Sequence, residues 1–418
     1  MNTIFFFRLS AIFEKIGLLL FALILIFPYQ YQLIKAVLLA IILVYVFFWK
    51  YNVHFSKKVF LWVLVYILMN TFSMSYGLIR GNPAPLAYFN VYFLWPIAYF
   101  ILVTLVNRHI FNKMIVVMRY SLLLILCFGI IAFVYLNVNF IKSGDLFGYV
   151  ATIRSGFPFI AISGGATTNV IYLYFFFLSI ILIDYKTASV IDYINLFLGV
   201  LFIFFTSRRA LMLDFAFSFV LIVFFYPFLR RTDKRVMLNS YRRVSFILFL
   251  FTVIIGWIVL TFELFDFKEI ENFVSDAFGK DKNDPRINQA ISLIDGWQEA
   301  VFWGNGSGVN AEVVRSEIPG TYELSYLAML FERGLIGFII FIFQYVLLNY
   351  WGIKQLKREF FSKYLLASMV ALNLFMLANA SNPYLMAFDH IWVLFITLIF
   401  INLSTGKQHE NLSLDKGL

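Results

Sequence analysis

Long apolar runs, separated by short polar connections, constrain the fold of this chain more than any motif does. Of its 418 residues, 62% are hydrophobic and only 13% are charged. A soluble domain of this size cannot bury so much apolar surface, so lipid must be the solvent for most of the chain. The runs do not alternate in polarity as barrel strands would, and they predict an all-α polytopic membrane protein. At about 20 residues per crossing, we expect about 12 transmembrane helices, over residues 9–28, 33–49, 58–78, 88–106, 115–136, 168–184, 189–206, 210–229, 244–262, 333–351, 364–380 and 388–402.

The basic residues lie mainly in alternate connections, and this distribution predicts the topology. The net charge is +10, and the connections near residues 50–58, 108–113, 230–243 and 354–363 carry much of the positive charge. Under the positive-inside rule these connections face the cytoplasm, as do both termini. The charge therefore indicates orientation in the membrane rather than binding to nucleic acid. We expect a single transmembrane domain over residues 1–403, a cytoplasmic tail over 404–418 and a large outward loop over 263–322.

The outward loop 263–322, called the island below, is the one connection with enough polar sequence to build a site. Residues 281–285 form a turn that predicts a helix from Arg286 to Trp303, with apolar residues at helical spacing. Such an amphipathic helix would lie on the membrane surface, with Arg286 at the end whose free amides favour anions. The glycines of the segment 304–308 then turn the chain. Their spacing does not fit a dinucleotide-binding loop.

Charged residues at the outer ends of the apolar runs are the candidates for chemistry. Glu323 follows the island, and two interpretations of it stay open: the ion partner of an arginine, or a proton acceptor. Arg208 and Arg209 lie between two apolar runs with almost no loop. Arginine near the bilayer is costly, so they should face a protein cavity or water and meet an anion there. The alternative is that they extend to the interface, which is also the simpler interpretation of Arg80.

Several of these residues occur in an order that resembles the O-antigen polymerase/ligase superfamily, which includes the Wzy-type polymerases. The resemblance is best from Ser207 to Phe343, and it rests on Ser207-Arg208, Arg286, Trp303-Gly304-x-Gly306-x-Gly308, Tyr322-Glu323-x-Ser325-Tyr326-Leu327 and Gly334-Leu335-Ile336-Gly337. It implies a GT-C-like protein of the bacterial inner membrane. Members transfer polysaccharide from an undecaprenyl-diphosphate carrier at the periplasmic face, with the lipid-linked glycans and the bilayer as partners.

The resemblance also implies which branch of the superfamily to expect. The ligases carry a His-Asn-x-x-Leu run where this chain has Glu323 to Leu327, so we expect a polymerase of O-antigen or another surface polysaccharide. A ligase, a lipid-linked oligosaccharide flippase or transporter, and a membrane protein that binds polysaccharide without turnover are the alternatives. A transporter fits less well, because the sequence has no internal repeat and no matching pair of broken helices. A chain-length regulator is a further candidate partner.

The chemistry of the superfamily assigns expected roles to the candidates. A sugar hydroxyl of one lipid-linked unit attacks the anomeric carbon of another, and undecaprenyl diphosphate leaves. Guanidinium groups should stabilise the charge that grows on the diphosphate. We expect no metal and no cofactor. The predicted catalytic residues are Glu323, Arg208 and Arg286, and the predicted contacts to diphosphate or sugar are Arg154, Arg209, Arg80, Tyr322 and Tyr326.

Overall fold

The protein is described by a computed structural model, and helices dominate it. The described residues are 2–49, 56–141, 145–153, 159–206, 208–229, 285–314, 322–356, 362–380, 382–386 and 388–414, with positions 238, 239, 242 and 246. Within them the chain forms twelve α-helices: α1 Asn2–Ile26, α2 Gln32–Trp49, α3 Lys57–Arg80, α4 Trp95–Leu105, α5 Arg108–Val138, α6 Gly165–Ile183, α7 Val190–Thr206, α8 Arg209–Phe225, α9 Pro285–Gln298, α10 Ser325–Leu356, α11 Ser362–Asn379 and α12 Phe388–Leu414. A π-helical turn, Asn90–Leu94, leads directly into α4.

The helices confirm the predicted class, an all-α polytopic membrane protein. Five of them are long and apolar enough to cross a bilayer, namely α3, α5, α6, the segment Ala210–Phe228 and α10. Shorter apolar helices lie at the predicted runs 33–49, 88–106, 189–206, 364–380 and 388–402. Helix α1 covers most of the predicted run 9–28. The split between α7 and α8 is confirmed, with only two residues between them. The predicted span 244–262 lies outside the described residues, apart from position 246.

Three helix boundaries and one connection differ from the predictions. Helix α9 ends at Gln298 rather than Trp303, because residues 299–303 turn and the Gly304 N–H donates to the Ala300 carbonyl over 2.8 Å. Helix α12 continues to Leu414, into the predicted tail. Helix α10 begins at Ser325 rather than at residue 333 and crosses a break at Gly334 (φ 64°, ψ −174°). The connection between α5 and α6 contains three short strands, where no regular structure was expected.

Residues fall into two compact units, and the first comprises residues 1–118, 285–360 and 375–418. In this unit α10 packs against α3, α9 and α12. Trp62 on α3 and Gln344 on α10 exchange two buried hydrogen bonds, of 3.0 and 2.9 Å, each side-chain nitrogen donating to the other residue's carbonyl. Polar groups in apolar helices need such partners, because lipid offers none. This pairing fixes α3 beside α10.

The second unit comprises residues 119–284 and 361–374. Its helix α6 packs against α7 and α8 and is buried from Ala166 to Ile183, as an all-round hydrophobic sequence requires. The strands β1 Asp145–Leu146, β2 Tyr149–Thr152 and β3 Ala161–Ser163 form an antiparallel sheet in that order. Strand β3 packs against α7.

Candidate functional site

The glycine-rich turn of the island docks into the break of α10. A break in a helix leaves backbone donors and acceptors without intrahelical partners. Carbonyl groups just before the glycine turn accept hydrogen bonds from N–H groups of α10, and N–H groups of the turn donate to carbonyl groups of α10. The N–H groups of Leu335 and Ile336 donate to the carbonyls of Val301 and Phe302 over 2.8 and 3.2 Å, and those of Asn305 and Gly306 donate to the carbonyls of Phe331 and Glu332 over 2.9 and 2.8 Å.

Two contacts of this turn leave no room for a side chain. Gly304 and Gly306 have φ of 72° and 81°, in the left-handed region that favours glycine. A Cβ on Gly304 would lie 2.4 Å from the Gly334 nitrogen, and one on Gly306 would lie 2.5 Å from the Gly77 nitrogen. The glycine pattern of the sequence therefore serves backbone contact between the island, α10 and α3.

Residues at the C-terminal end of α3 also bind the glycine turn. Arg80 Nη1 donates to Asn305 Oδ1 over 2.7 Å, and the Asn82 amide donates to the carbonyls of Asn305 and Ser307, both over 3.0 Å. The exposed Arg80 guanidinium also lies 5.1 Å from the centre of the Tyr76 ring. Arg80, a predicted phosphate contact, thus stands on the rim of the island and supports the turn.

Arg286 and Glu323 meet, although 37 residues separate them in the chain. Arg286 Nε donates to Glu323 Oε2 over 2.7 Å, and the side chains are 49% and 33% exposed. The Glu323 N–H also donates to Gln289 Oε1 over 3.2 Å, so the first two turns of α9 hold this residue. A pair this exposed stabilises the fold by at most about 1 kcal/mol. Two groups suited to phosphate binding and proton transfer therefore lie together where solvent can reach them.

Tyr322 is buried beside this pair, and it anchors the segment that carries Glu323. Its ring is 0% exposed. Its hydroxyl donates to the Val309 carbonyl and accepts from the Ala311 N–H, both over 2.7 Å. Burial raises the pKa of Tyr322 to about 12, so the phenol stays neutral. Tyr322 was predicted to contact diphosphate or sugar, but the structure places its ring in the protein interior.

The remaining predicted residues have different positions. Tyr326 is half-buried on α10, and its hydroxyl donates to the Met376 carbonyl over 2.5 Å. Arg208, in the second unit, is half-buried and precedes α8 with extended backbone (φ −85°, ψ 112°). Arg209 begins α8, and its side chain lies outside the described part of the structure, as does the whole of Arg154.

Two charged residues that the sequence analysis did not assign to the site lie next to the break in α10. Glu332 and Arg333 are only 1% and 6% exposed. Glu332 Oε1 accepts from the Gly308 N–H over 3.3 Å, and the Arg333 guanidinium lies 4.8 Å from the centre of the Tyr92 ring. The signal was present in the sequence: two adjacent charges inside an apolar run are costly unless they serve a purpose.

These two residues border a small cavity in the first unit. It has a volume of about 20 Å³, enough for one water molecule. Polar groups from four helical segments face it, so a bound water would find several partners. The polar lining comprises Tyr66, Tyr92, Ser325, Glu332, Arg333 and Asn379.

Comparison with known proteins gives one finding. A family model described as O-antigen ligase matches residues 194–342. The match begins within α7 and ends within α10, and it includes Arg208, Arg286 and Glu323. No curated protein matches the chain.

Proposed function

We propose, from the match of residues 194–342 to the family model described as O-antigen ligase, that the chain is a member of the O-antigen polymerase/ligase superfamily and a polymerase of lipid-linked repeat units. Its substrates would be undecaprenyl-diphosphate-linked oligosaccharides at the periplasmic face of the bacterial inner membrane. The observation that carries this proposal is the ion pair between Arg286 and Glu323 at 2.7 Å. It joins a phosphate-binding group and a proton acceptor within the segment that matches the family.

The proposed reaction is a glycosyl transfer. An acceptor sugar hydroxyl forms a new bond to the anomeric carbon of the donor, and the bond from that carbon to the diphosphate oxygen breaks. Glu323 takes the hydroxyl proton, and the electron pair of the broken bond leaves with undecaprenyl diphosphate. This leaving group is already a stabilised anion, so the reaction requires no general acid.

Arg286 would stabilise the negative charge that develops on the leaving diphosphate. A guanidinium carries five N–H donors in a planar fork that matches phosphate oxygens. Half of the Arg286 side chain is exposed, so a diphosphate can approach it. Competition by the diphosphate for Arg286 would weaken its bond to Glu323 and leave the carboxylate better able to accept a proton.

The residue at position 323 favours a polymerase over a ligase. The resemblance places a ligase histidine at this position, and this chain has a glutamate. The ligase remains the second candidate, because the family description is that of O-antigen ligase. The two activities differ in their acceptor: a polymerase needs only the lipid-linked repeat unit, whereas a ligase needs a lipid core.

Reconstitution of the purified protein with lipid-linked repeat unit tests the proposal. A ladder of longer glycans is expected from the wild type without any lipid core. Product only in the presence of a lipid core would identify a ligase instead, and movement of lipid without a new glycosidic bond would identify a transporter.

A substitution at Glu323 tests its role in the reaction. Glu323→Gln keeps a hydrogen-bond acceptor but removes the base, so polymerisation should slow by about 10²–10⁴-fold. Glu312→Gln is the matched control, because Glu312 is an exposed carboxylate of the island that precedes Glu323. The assignment fails if Glu323→Gln elongates glycan at the wild-type rate while folding normally.

A further inference from the structure

The connection between α5 and α6 reaches deep along α5 instead of lying over its outer end. The Tyr149 hydroxyl donates to the Ile125 carbonyl over 2.7 Å. The Phe147 ring stacks on the Phe128 ring, with 4.9 Å between the ring centres. Ile125 and Phe128 lie 13 and 10 residues before the end of α5 at Val138, which is about 20 and 15 Å along the helix. Because α5 is long and apolar enough to cross a bilayer, the turn between β1 and β2 lies within the hydrocarbon region.

The inner side of the sheet is built into the second unit. Asn137 on α5 holds Ile160, just before β3, by two hydrogen bonds: its amide nitrogen donates to the Ile160 carbonyl over 2.9 Å, and its amide oxygen accepts from the Ile160 N–H over 2.8 Å. Gly129 makes room for this packing, because a Cβ there would lie 2.3 Å from the Phe202 ring and 3.4 Å from Ile162. Strand β3 is thus fixed between α5 and α7, and these contacts set the depth of the sheet.

The opposite side of the sheet is open. Among the described strands β1 pairs only with β2, so its other edge presents backbone N–H and C=O groups with no strand beside them. Asp145 and Val150 are paired across β1 and β2, and both are exposed. The Asp145 carboxylate accepts a hydrogen bond from the Gly148 N–H over 2.8 Å. Lipid can satisfy neither a strand edge nor a carboxylate, so this side of the sheet requires a polar neighbour.

From this geometry we propose that β1 and β2 line a water-filled cleft that enters the bilayer from its predicted outer side. Non-helical backbone at membrane depth is tolerated where it is buried in protein or borders water. The first case applies to β3, and the exposure of Asp145 and Val150 leaves the second case for β1 and β2. The cleft would also bring water to the outer end of α7. Arg208 lies there, six residues beyond Phe202, whose ring centre is 6.1 Å from that of Tyr149.

Cysteine labelling of the full-length protein in spheroplasts tests whether water reaches β2. Cys127 is the only cysteine of the chain, so Cys127→Ala supplies a background without thiols. In that background Val150→Cys should react with a membrane-impermeant cationic thiol reagent about tenfold or more faster than Val220→Cys, because hydrocarbon excludes charge. Val220 is the matched control, since this valine of α8 is 60% exposed, against 42% for Val150, and belongs to an exposed apolar stripe. Ala151→Cys, on the buried face of β2, should stay unlabelled.

A cross-linking pair tests the depth of the hairpin formed by β1 and β2, because a loop on the membrane surface would also be labelled. Phe128→Cys and Phe147→Cys, combined in the Cys127→Ala background, should be joined by a short membrane-permeant bifunctional thiol reagent, since the two rings stack in the fold. Phe147→Cys with Val138→Cys is the matched control. It places the second thiol on the exposed last residue of α5, and the two thiols should not be joined. Mass spectrometry of the unfolded chain counts the joined thiols in each variant.

The results distinguish the cleft from its alternatives. Fast labelling at Val150, together with the link between positions 128 and 147, supports the cleft. Labelling of Val150 as slow as that of Val220 would mean that lipid or another protein covers the sheet, and absence of the link would remove the hairpin from this depth. Either result overturns the inference. Asp145→Cys repeats the labelling if Val150→Cys does not fold. None of these measurements requires glycan synthesis, so the inference stands or fails independently of the polymerase proposal.

Discussion

Replacing Gly306 with alanine should separate the island from α3, and the structure sets the size of the effect. Alanine in the left-handed region costs about 1–2 kcal/mol. The added Cβ would also lie 2.5 Å from the Gly77 nitrogen and 2.6 Å from its Cα. Both atoms belong to backbone and cannot rotate away, so overpacking adds about 1–3 kcal/mol. We expect a total destabilisation of about 2–5 kcal/mol.

Gly81 offers a matched control for the backbone part of this cost. Its φ is 73°, close to that of Gly306, but a Cβ there would meet nothing within 4 Å. Gly81→Ala should therefore cost only the conformational part, about 1–2 kcal/mol. The difference between the two variants isolates the steric contact.

Heat stability of the detergent-solubilised protein, followed by size-exclusion chromatography, ranks the variants. Hydrogen exchange of the peptide that covers residues 301–308 then locates the loss, which should appear as faster exchange in the turn. Equal destabilisation by Gly306→Ala and Gly81→Ala would refute the reasoning, because it would mean that the close approach to Gly77 carries no cost.

Two further variants test other residues that the sequence analysis predicted to contribute to the site. Arg208→Ala should reduce long-chain polysaccharide in cells at unchanged protein level if this arginine stabilises the diphosphate, and normal chain length would remove it from the mechanism. Tyr322→Phe should destabilise the protein by about 1–3 kcal/mol, because it leaves the Ala311 N–H and the Val309 carbonyl without their partner. An unchanged melting temperature for Tyr322→Phe would show that these bonds are replaced by water.

The transmembrane architecture was predictable because apolar length is a local property of the sequence. The same reasoning explains the error at α10. Glu332 and Arg333 lowered the local hydropathy, so the helix was expected to begin only at residue 333. In the folded protein Glu332 contacts Gly308 and Arg333 contacts Tyr92. A hydropathy profile cannot reveal these contacts, because the partners are far apart in the chain.

The site was predictable in its components but not in its contacts. The helical spacing of apolar residues indicated α9 and placed Arg286 at its start. Whether Glu323 met an arginine stayed open, because the two residues are far apart in the chain. The burial of Tyr322 was also hidden, since its hydroxyl partners lie in the irregular segment around residues 309–311. The short strands of 145–163 escaped notice because none exceeds four residues.

The docking of the glycine turn into the break at Gly334 limits how chimeras can be made between this chain and related proteins to exchange their substrate specificity. The glycine turn and α10 satisfy each other's backbone hydrogen bonds, and the C-terminal end of α3 binds the turn. A chimera that transplants the island alone would therefore sever these bonds at a foreign junction. A working chimera should instead transfer three segments together: the residues near Ser73–Asn82, the turn at 301–308 and the first half of α10. The junctions between donor and recipient sequence should lie outside these segments.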